Sequence, residues 1–218
     1  MIKFNYGLKD IGAIIGIDLA KFHTGICVYK RDVGFVEFLP INVKNTEENK
    51  ELSLFIQLKD LFQKIKEKYG KNGVIAVIQE RLPSQCGRFS TIQTLQALSA
   101  SHAILHLAVQ VTDGVELYDN DGIHTISIKT LFKSPSCPKP QKEDIRKALV
   151  ELYHLDDTLL TDDISDAIAV VHTLLVKRWN QDIDERIKEL KKEIKGLKLA
   201  RAKEEREVEI NRLSQSKI

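Results

Sequence analysis

Short apolar runs alternate along the chain with longer segments whose apolar residues recur every three or four positions. Gly12 to Asp18 (GAIIGID) is dense in isoleucine, as expected of a strand covered on both faces. Thr24 to Lys30 follows a short polar link, and the Arg31–Asp32 turn leads into Val33 to Leu39. Three close-set strands with short links predict an antiparallel meander. From Glu51 to Tyr69 the period changes. Leu52, Phe55, Phe62, Ile65 and Tyr69 share one helical face, which Gly70 and Gly73 end. Val74 to Gln79 is a second buried strand, and Glu80 closes it.

Ser90 to Val109, with Leu95, Leu98, His102 and Leu105, predicts another helix. His124 to Lys129 alternates Ile126 and Ile128 with polar neighbours and predicts a fifth strand. The proline-rich stretch Ser134 to Pro140 is a loop, and Lys142 to Tyr153 is helical. A last core helix starts near Asp162 and runs through Ile164, Ala167, Ile168, Val171 and Leu175. The order β-β-β-α-β-α-β-α-α predicts an α/β fold: a mixed five-stranded sheet with helices on both faces.

From about Lys177 the composition shifts to Lys, Glu and Arg. Ile183, Ile187, Leu190, Ile194 and Leu197 alternate steps of four and three, a heptad seam that fades at Arg201 and Glu204. The expected organisation is a domain over 1–178 and a charged helical extension over 179–218. That extension is read as one long helix, either pairing with a second copy or packed back on its own domain.

The 218 residues suffice for one well-packed domain plus such an appendage. With 43% hydrophobic and 29% charged residues the chain belongs among soluble globular proteins. Its net charge of +2 does not announce a nucleic-acid binder, so local patches matter more than the sum. The start, MIKFNYGLKD, has no long apolar run, and no stretch of about 18 apolar residues occurs, so neither a signal peptide nor a membrane span is expected. Cys27, Cys86 and Cys137 are far apart, without CxxC or zinc spacing, as in reduced, partly buried thiols of a cytoplasmic protein.

The acids change this picture. Asp18 and Glu80 each close an apolar strand, where a charge is costly to bury without a partner. If the two strands are neighbours, their carboxylates emerge side by side at one end of the sheet. Asp163 and Asp166 are three apart on a helix and share a face. Four converging carboxylates repel unless cations neutralise them. Oxygen-only ligands suit Mg²⁺, with Mn²⁺ as a substitute, and two such ions can clamp an in-line phosphoryl displacement. No GxSxG elbow, HExxH or glycine-rich phosphate loop offers a rival chemistry. Taken singly each acid has an ordinary alternative: a strand-end acid is commonplace, and Asp162 and Asp163 can cap a helix.

The sequence resembles the RuvC family of Holliday-junction resolvases, within the RNase H-like superfamily, over about Ile14 to Leu175. IIGIDLAKFHTGICVY is similar to the family's opening strands, VIAVIQERLP to its glutamate strand, ISIKTLFKSPSCPKPQKEDIRKAL to its lysine-bearing segment, and DDISDAIAVVH to its closing D-x-x-D-A helix. The resemblance implies an RNase H-like fold and a metal-dependent endodeoxyribonuclease acting on four-way or other branched DNA. It implies two ions per site held by Asp18, Glu80, Asp163 and Asp166, with Asp162 as the fallback for Asp163. It places Lys129 near the scissile phosphate and Lys142 at a second basic position, and implies a homodimer joined through the helix 90–109. Two features depart from the family: Arg81-Leu82-Pro83 stands where bacterial members often carry an aromatic residue, with Phe89 further along, and the charged tail is absent from the compact bacterial enzymes. A phage or mobile-element origin fits that tail.

Lys133, Lys139, Lys142, Arg146 and Lys147 surround the proline-rich loop and are candidates to grip phosphates, as are Arg81 and Arg88. His102 and His106 are one turn apart without a third ligand and are expected to pack or to make a dimer contact, and His23 is expected to be exposed. Other readings keep the site but change the role: a transposase or recombinase domain, RNase H proper, or a non-catalytic junction-binding protein.

Overall fold

The computed structural model describes residues 11–20, 22–44, 46, 48–82, 91–118, 122–196 and 200–217. The apolar runs form the expected meander: β1 (Ile11–Asp18), β2 (His23–Lys30) and β3 (Gly34–Asn42), paired antiparallel. Helix α1 (Lys50–Tyr69) crosses to β4 (Val74–Gln79), which lies parallel to β1 with Ile17 opposite Gln79. Helix α2 (Ile92–Gln110) then leads to β5 (Val115–Leu117), parallel to β4. The strand order is β3-β2-β1-β4-β5. Pro40 falls in β3 at the edge of this sheet, where a missing N–H is tolerated.

The two faces are built differently. Successive strand residues point to opposite sides. Ala13, Ile15 and Ile17 of β1, with Ile75 and Val77 of β4, join Leu54, Leu58, Phe62 and Ile65 of α1 and Leu105, Ala108 and Val109 of α2 in one buried cluster. The opposite face, with Ile14, Gly16 and Asp18, receives α5 (Asp162–Gly196). A Cβ on Gly16 would fall 2.4 Å from Val171 and 2.6 Å from the Ala167 carbonyl, so that face accepts the helix only because the strand lacks a side chain there.

One expected strand is a helix. His124 to Lys129 lies mostly in α3 (Thr125–Leu131), with Ile128 buried and Ile126 exposed at 77%. A strand would turn both isoleucines to one face, whereas a helix sends residues two apart to different sides. The fifth place in the sheet belongs to Val115–Leu117, three residues too short to display a period. The predicted order survives as far as the fifth strand, because this strand, like the expected one, follows α2, and α3 is then one helix more than expected. Helix α4 (Lys142–Tyr153) starts where expected, fixed by a reciprocal cap in which Gln141 N donates to Asp144 Oδ2 at 2.8 Å.

The chain divides into two compact units, the first including the described residues up to Thr173 and the second those from Leu174. In the second, the 35-residue α5 ends at Gly196 and is followed by α6 (Ala200–Gln215), so the charged tail is two helices rather than one. Arg186 pairs with Glu209 at 3.5 Å, Arg206 with Glu193 at 3.1 Å, and Trp179 Nε1 donates to the Ser216 carbonyl at 3.0 Å. These contacts lay α6 antiparallel along α5. Ile183, Ile187 and Leu190 of the seam are buried within the single chain, so burying them requires no second copy. No helix among the described residues is long and apolar enough to cross a membrane.

Candidate active site

Asp18 ends β1 on the face that α5 covers, in the same alternation as Ile14 and Gly16. Its partner across the ladder is Gly25 of β2. A Cβ on Gly25 would stand 2.1 Å from the backbone carbon and oxygen of Asp163, so the first turn of α5 rests directly on the strand beside Asp18. Thr24, next to it, closes the β1–β2 link: its hydroxyl donates to the Ala20 carbonyl at 3.3 Å.

Glu80 follows β4 and, by the same alternation, faces the α5 side. It bridges Ile123 in parallel fashion. The segment so held delivers Thr125, whose hydroxyl donates to Glu80 Oε1. Burial, with the Asp166 charge, pushes the Glu80 pKa up, against the hydrogen bond from Thr125 and the charges of Lys142 and of Lys129, one turn further along α3. The reverse side of the strand end is tied down by Gln79, 2% exposed, whose Nε2 hydrogen-bonds His106 Nε2 at 2.9 Å. This is the packing role expected of the α2 histidines; burial, then His106, lowers the pKa of His102.

The start of α5 is capped by Thr161, whose hydroxyl accepts from Ile164 N at 3.3 Å. That leaves Asp162 and Asp163 free of the capping role. Arg146 holds Asp157 at 2.8 Å and lies 3.8 Å from Asp162, which is turned out to solvent. Asp163 instead lies within electrostatic range of Asp18. Asp166, one turn on, accepts a hydrogen bond from Lys142 at the start of α4.

Burial, followed by the charges of Asp166 and Glu80, pushes the Asp18 carboxyl up to about 7, against the pull of Lys142. The four acids therefore share one electrostatic field with too little positive charge to balance it. Their donors are all hard oxygens, which fits a small divalent cation. Among the described residues, as placed, no three His, Cys, Asp or Glu side chains group closely enough to hold one ion.

The remaining candidates are scattered. Arg81 Nη1 donates to His124 Nε2 at 2.9 Å, on the approach to Glu80. Lys133 and Lys139 are exposed on the stretch between α3 and α4, and neither forms an ion pair with the carboxylates among the described residues. Arg146 is engaged with Asp157 at 2.8 Å, and Lys147 pairs with Glu143 at 2.8 Å on the exposed face of α4. Exposed His23 hydrogen-bonds Asn42 at 2.7 Å. Arg88, Cys86 and Phe89 lie outside the described residues. Thr125 escaped the sequence reading because its segment reads as a strand, and only the Glu80–Ile123 bridge brings its hydroxyl to the site.

No protein-family model matches the chain, and no curated protein matches it by sequence. Solved structures do match. The chain is similar to RuvC from T. thermophilus in complex with a Holliday junction substrate, with a TM-score of 0.57 and 14% identity over 76% of this chain and 94% of that one. A second Thermus thermophilus RuvC structure matches with a TM-score of 0.55 and 13% identity, covering 76% and 95%. The likeness is one of fold: the chain has a RuvC-like, RNase H-like architecture.

Proposed function

We propose that this chain is a metal-dependent endonuclease that resolves Holliday junctions or other branched DNA. The observation that carries the reading is the joint presentation of Asp18 and Glu80 on the α5 face of the sheet, beside Asp163 and Asp166, with Asp18 held up at about 7. Similarity in fold to a RuvC in complex with a Holliday junction substrate supports branched DNA as the substrate.

In this mechanism Asp18, Glu80, Asp163 and Asp166 hold two Mg²⁺ ions, with Mn²⁺ able to replace them. Such ions activate the attacking water and neutralise charge building on the phosphate. The chain supplies the rest. Thr125 orients Glu80 through its hydroxyl. Lys142 neutralises Asp166 before substrate arrives, and with Lys129 it offers positive charge to the scissile phosphate. Arg81, Lys133, Lys139 and Arg88 contribute backbone contacts that set affinity rather than the cut. Resolution needs two cuts, which a homodimer joined through α2 would place symmetrically; exposed Leu107 and Val111 near the end of that helix support such a face.

The test is incubation with a labelled four-way junction, a matching linear duplex and an RNA–DNA hybrid, each with Mg²⁺, Mn²⁺ or EDTA. Paired symmetric nicks on the junction alone, lost in EDTA, are expected. Preferential cutting of hybrid would point to RNase H, and junction binding without nicks in any metal would sink the nuclease reading.

A further inference from the structure

We propose that the outer face of α5 in the second unit, carrying Lys188, Lys191 and Lys192, binds the phosphate backbone of a DNA duplex. Charge in this unit is sorted. Several of the acids are paired within the unit: Glu189 and Glu193 lie 3.2 and 3.6 Å from Arg186, Glu209 lies 3.1 Å from Arg206, and Asp184 pairs with Lys217, while Glu185 is exposed beside the lysines. Lys188, Lys191 and Lys192 are exposed and enter no ion pair among the described residues. Their spacing of three and four places them on one face of the helix, about a third of a turn from the buried seam of Ile183, Ile187 and Leu190.

Lys188 to Lys192 span about 6 Å of helix, comparable to two phosphate steps of one strand at about 3.4 Å each along the duplex axis. Lysines are point charges on mobile stems, suited to phosphates of any sequence rather than to bidentate reading of bases. The choice of DNA as the polyanion rests on the proposed function, but the contact is tested apart from cleavage.

The experiment uses the full chain, a labelled linear duplex and EDTA, with binding followed between roughly 50 and 200 mM salt. Alanine favours helix, so Lys188→Ala/Lys191→Ala/Lys192→Ala should keep the helical circular dichroism of the parent. It should bind duplex about tenfold more weakly and flatten the slope of log K against log salt by about 2–3. A charge-matched control in the first unit, Lys59→Ala/Lys64→Ala/Lys71→Ala, should bind like the parent. Unchanged binding by the stripe variant would overturn the proposal. So would an equal loss in the control, which would mean a net-charge effect, or a loss confined to phosphatidylserine vesicles with duplex binding intact. A parent that binds duplex through the stripe yet never cuts a junction would sink the nuclease reading and leave the stripe standing.

Discussion

The sheet meets its helices in two ways. Towards α1 and α2 it presents Ile15, Ile17, Ile75 and Val77, and the helices answer with Leu58, Phe62 and Leu105, all fully buried. Towards α5 the strands present Gly16 and Gly25, and backbone meets backbone. The first face is a packed core, whose contribution scales with buried apolar area, roughly 1.5–3 kcal/mol for each large side chain. The second face is buried as well, with Ile14, Ile78, Ile168 and Val171 at 2% exposure or less. What sets it apart is that Gly16 and Gly25 admit the α5 backbone, and that close approach brings the Asp163–Asp166 turn to the ends of β1 and β4. The candidate site thus lies on one face only, and substitutions on the two faces should act differently.

The largest effect should come from Asp18→Asn. Loss of a metal-holding carboxylate should abolish junction cutting, a fall of at least about a thousandfold, while junction binding stays measurable by gel shift. Stability should move the other way. The Asp18 carboxyl titrates at about 7 in the folded chain against 3.8 as its ordinary value, so its favourable contribution is fully present below about 4 and is lost as pH rises through 7. In EDTA the Asn variant should therefore gain on the parent across that window, by about 2 kcal/mol after allowance for partial solvent exposure. A difference between variant and parent that is the same at pH 8 and pH 4 would mean that burial and the neighbouring carboxylates do not hold the Asp18 carboxyl up.

Phe62→Ala probes the opposite face. Cavity formation at this fully buried ring should cost about 3–5 kcal/mol in denaturant unfolding. Cutting per folded molecule should stay near the parent rate at low temperature. A parallel loss of activity would blur the division between the faces.

Gly25→Ala should invert that ratio. Overpacking costs about 1–3 kcal/mol, less than the cavity at Phe62. The added methyl would displace the Asp163 backbone, however, and cutting should fall by about a hundredfold, the scale expected of a 1 Å misplacement. Unaltered cutting would show that the close contact is dispensable. The smallest effect is expected for Thr125→Val, which removes the hydroxyl that holds Glu80. Stability should change by about 1 kcal/mol or less. The cutting rate should fall several-fold, with a higher Mg²⁺ concentration at half-maximal rate.

Much of this division was legible in the residues. The run Gly12 to Asp18 declared a strand buried on both sides with an acid at its end, and Val74 to Glu80 did the same, because burial on both faces leaves an uninterrupted apolar run. Asp163 and Asp166 could be placed on one face from helical spacing alone. Gly16 and Gly25 could be seen but not interpreted, since the need for a missing side chain depends on what lies across from it. The fifth strand was misplaced because Val115–Leu117 is too short to show a period, while Ile126 and Ile128 show a false one. The partner of Arg146, Asp157, could not be read from the sequence, since their pairing depends on how the link after α4 folds back.

The sequence alone determined which segments bury and which acids sit at their ends, because periodicity and the cost of burying charge are local properties of the chain. Tertiary structure decided that Asp162 lies out beside Arg146 while Asp163 adds its charge to the field at Asp18, that Thr125 reaches Glu80, and that the charged tail doubles back as α6. Each of those outcomes depends on which distant backbone stands within a few ångströms, and no local pattern encodes that distance.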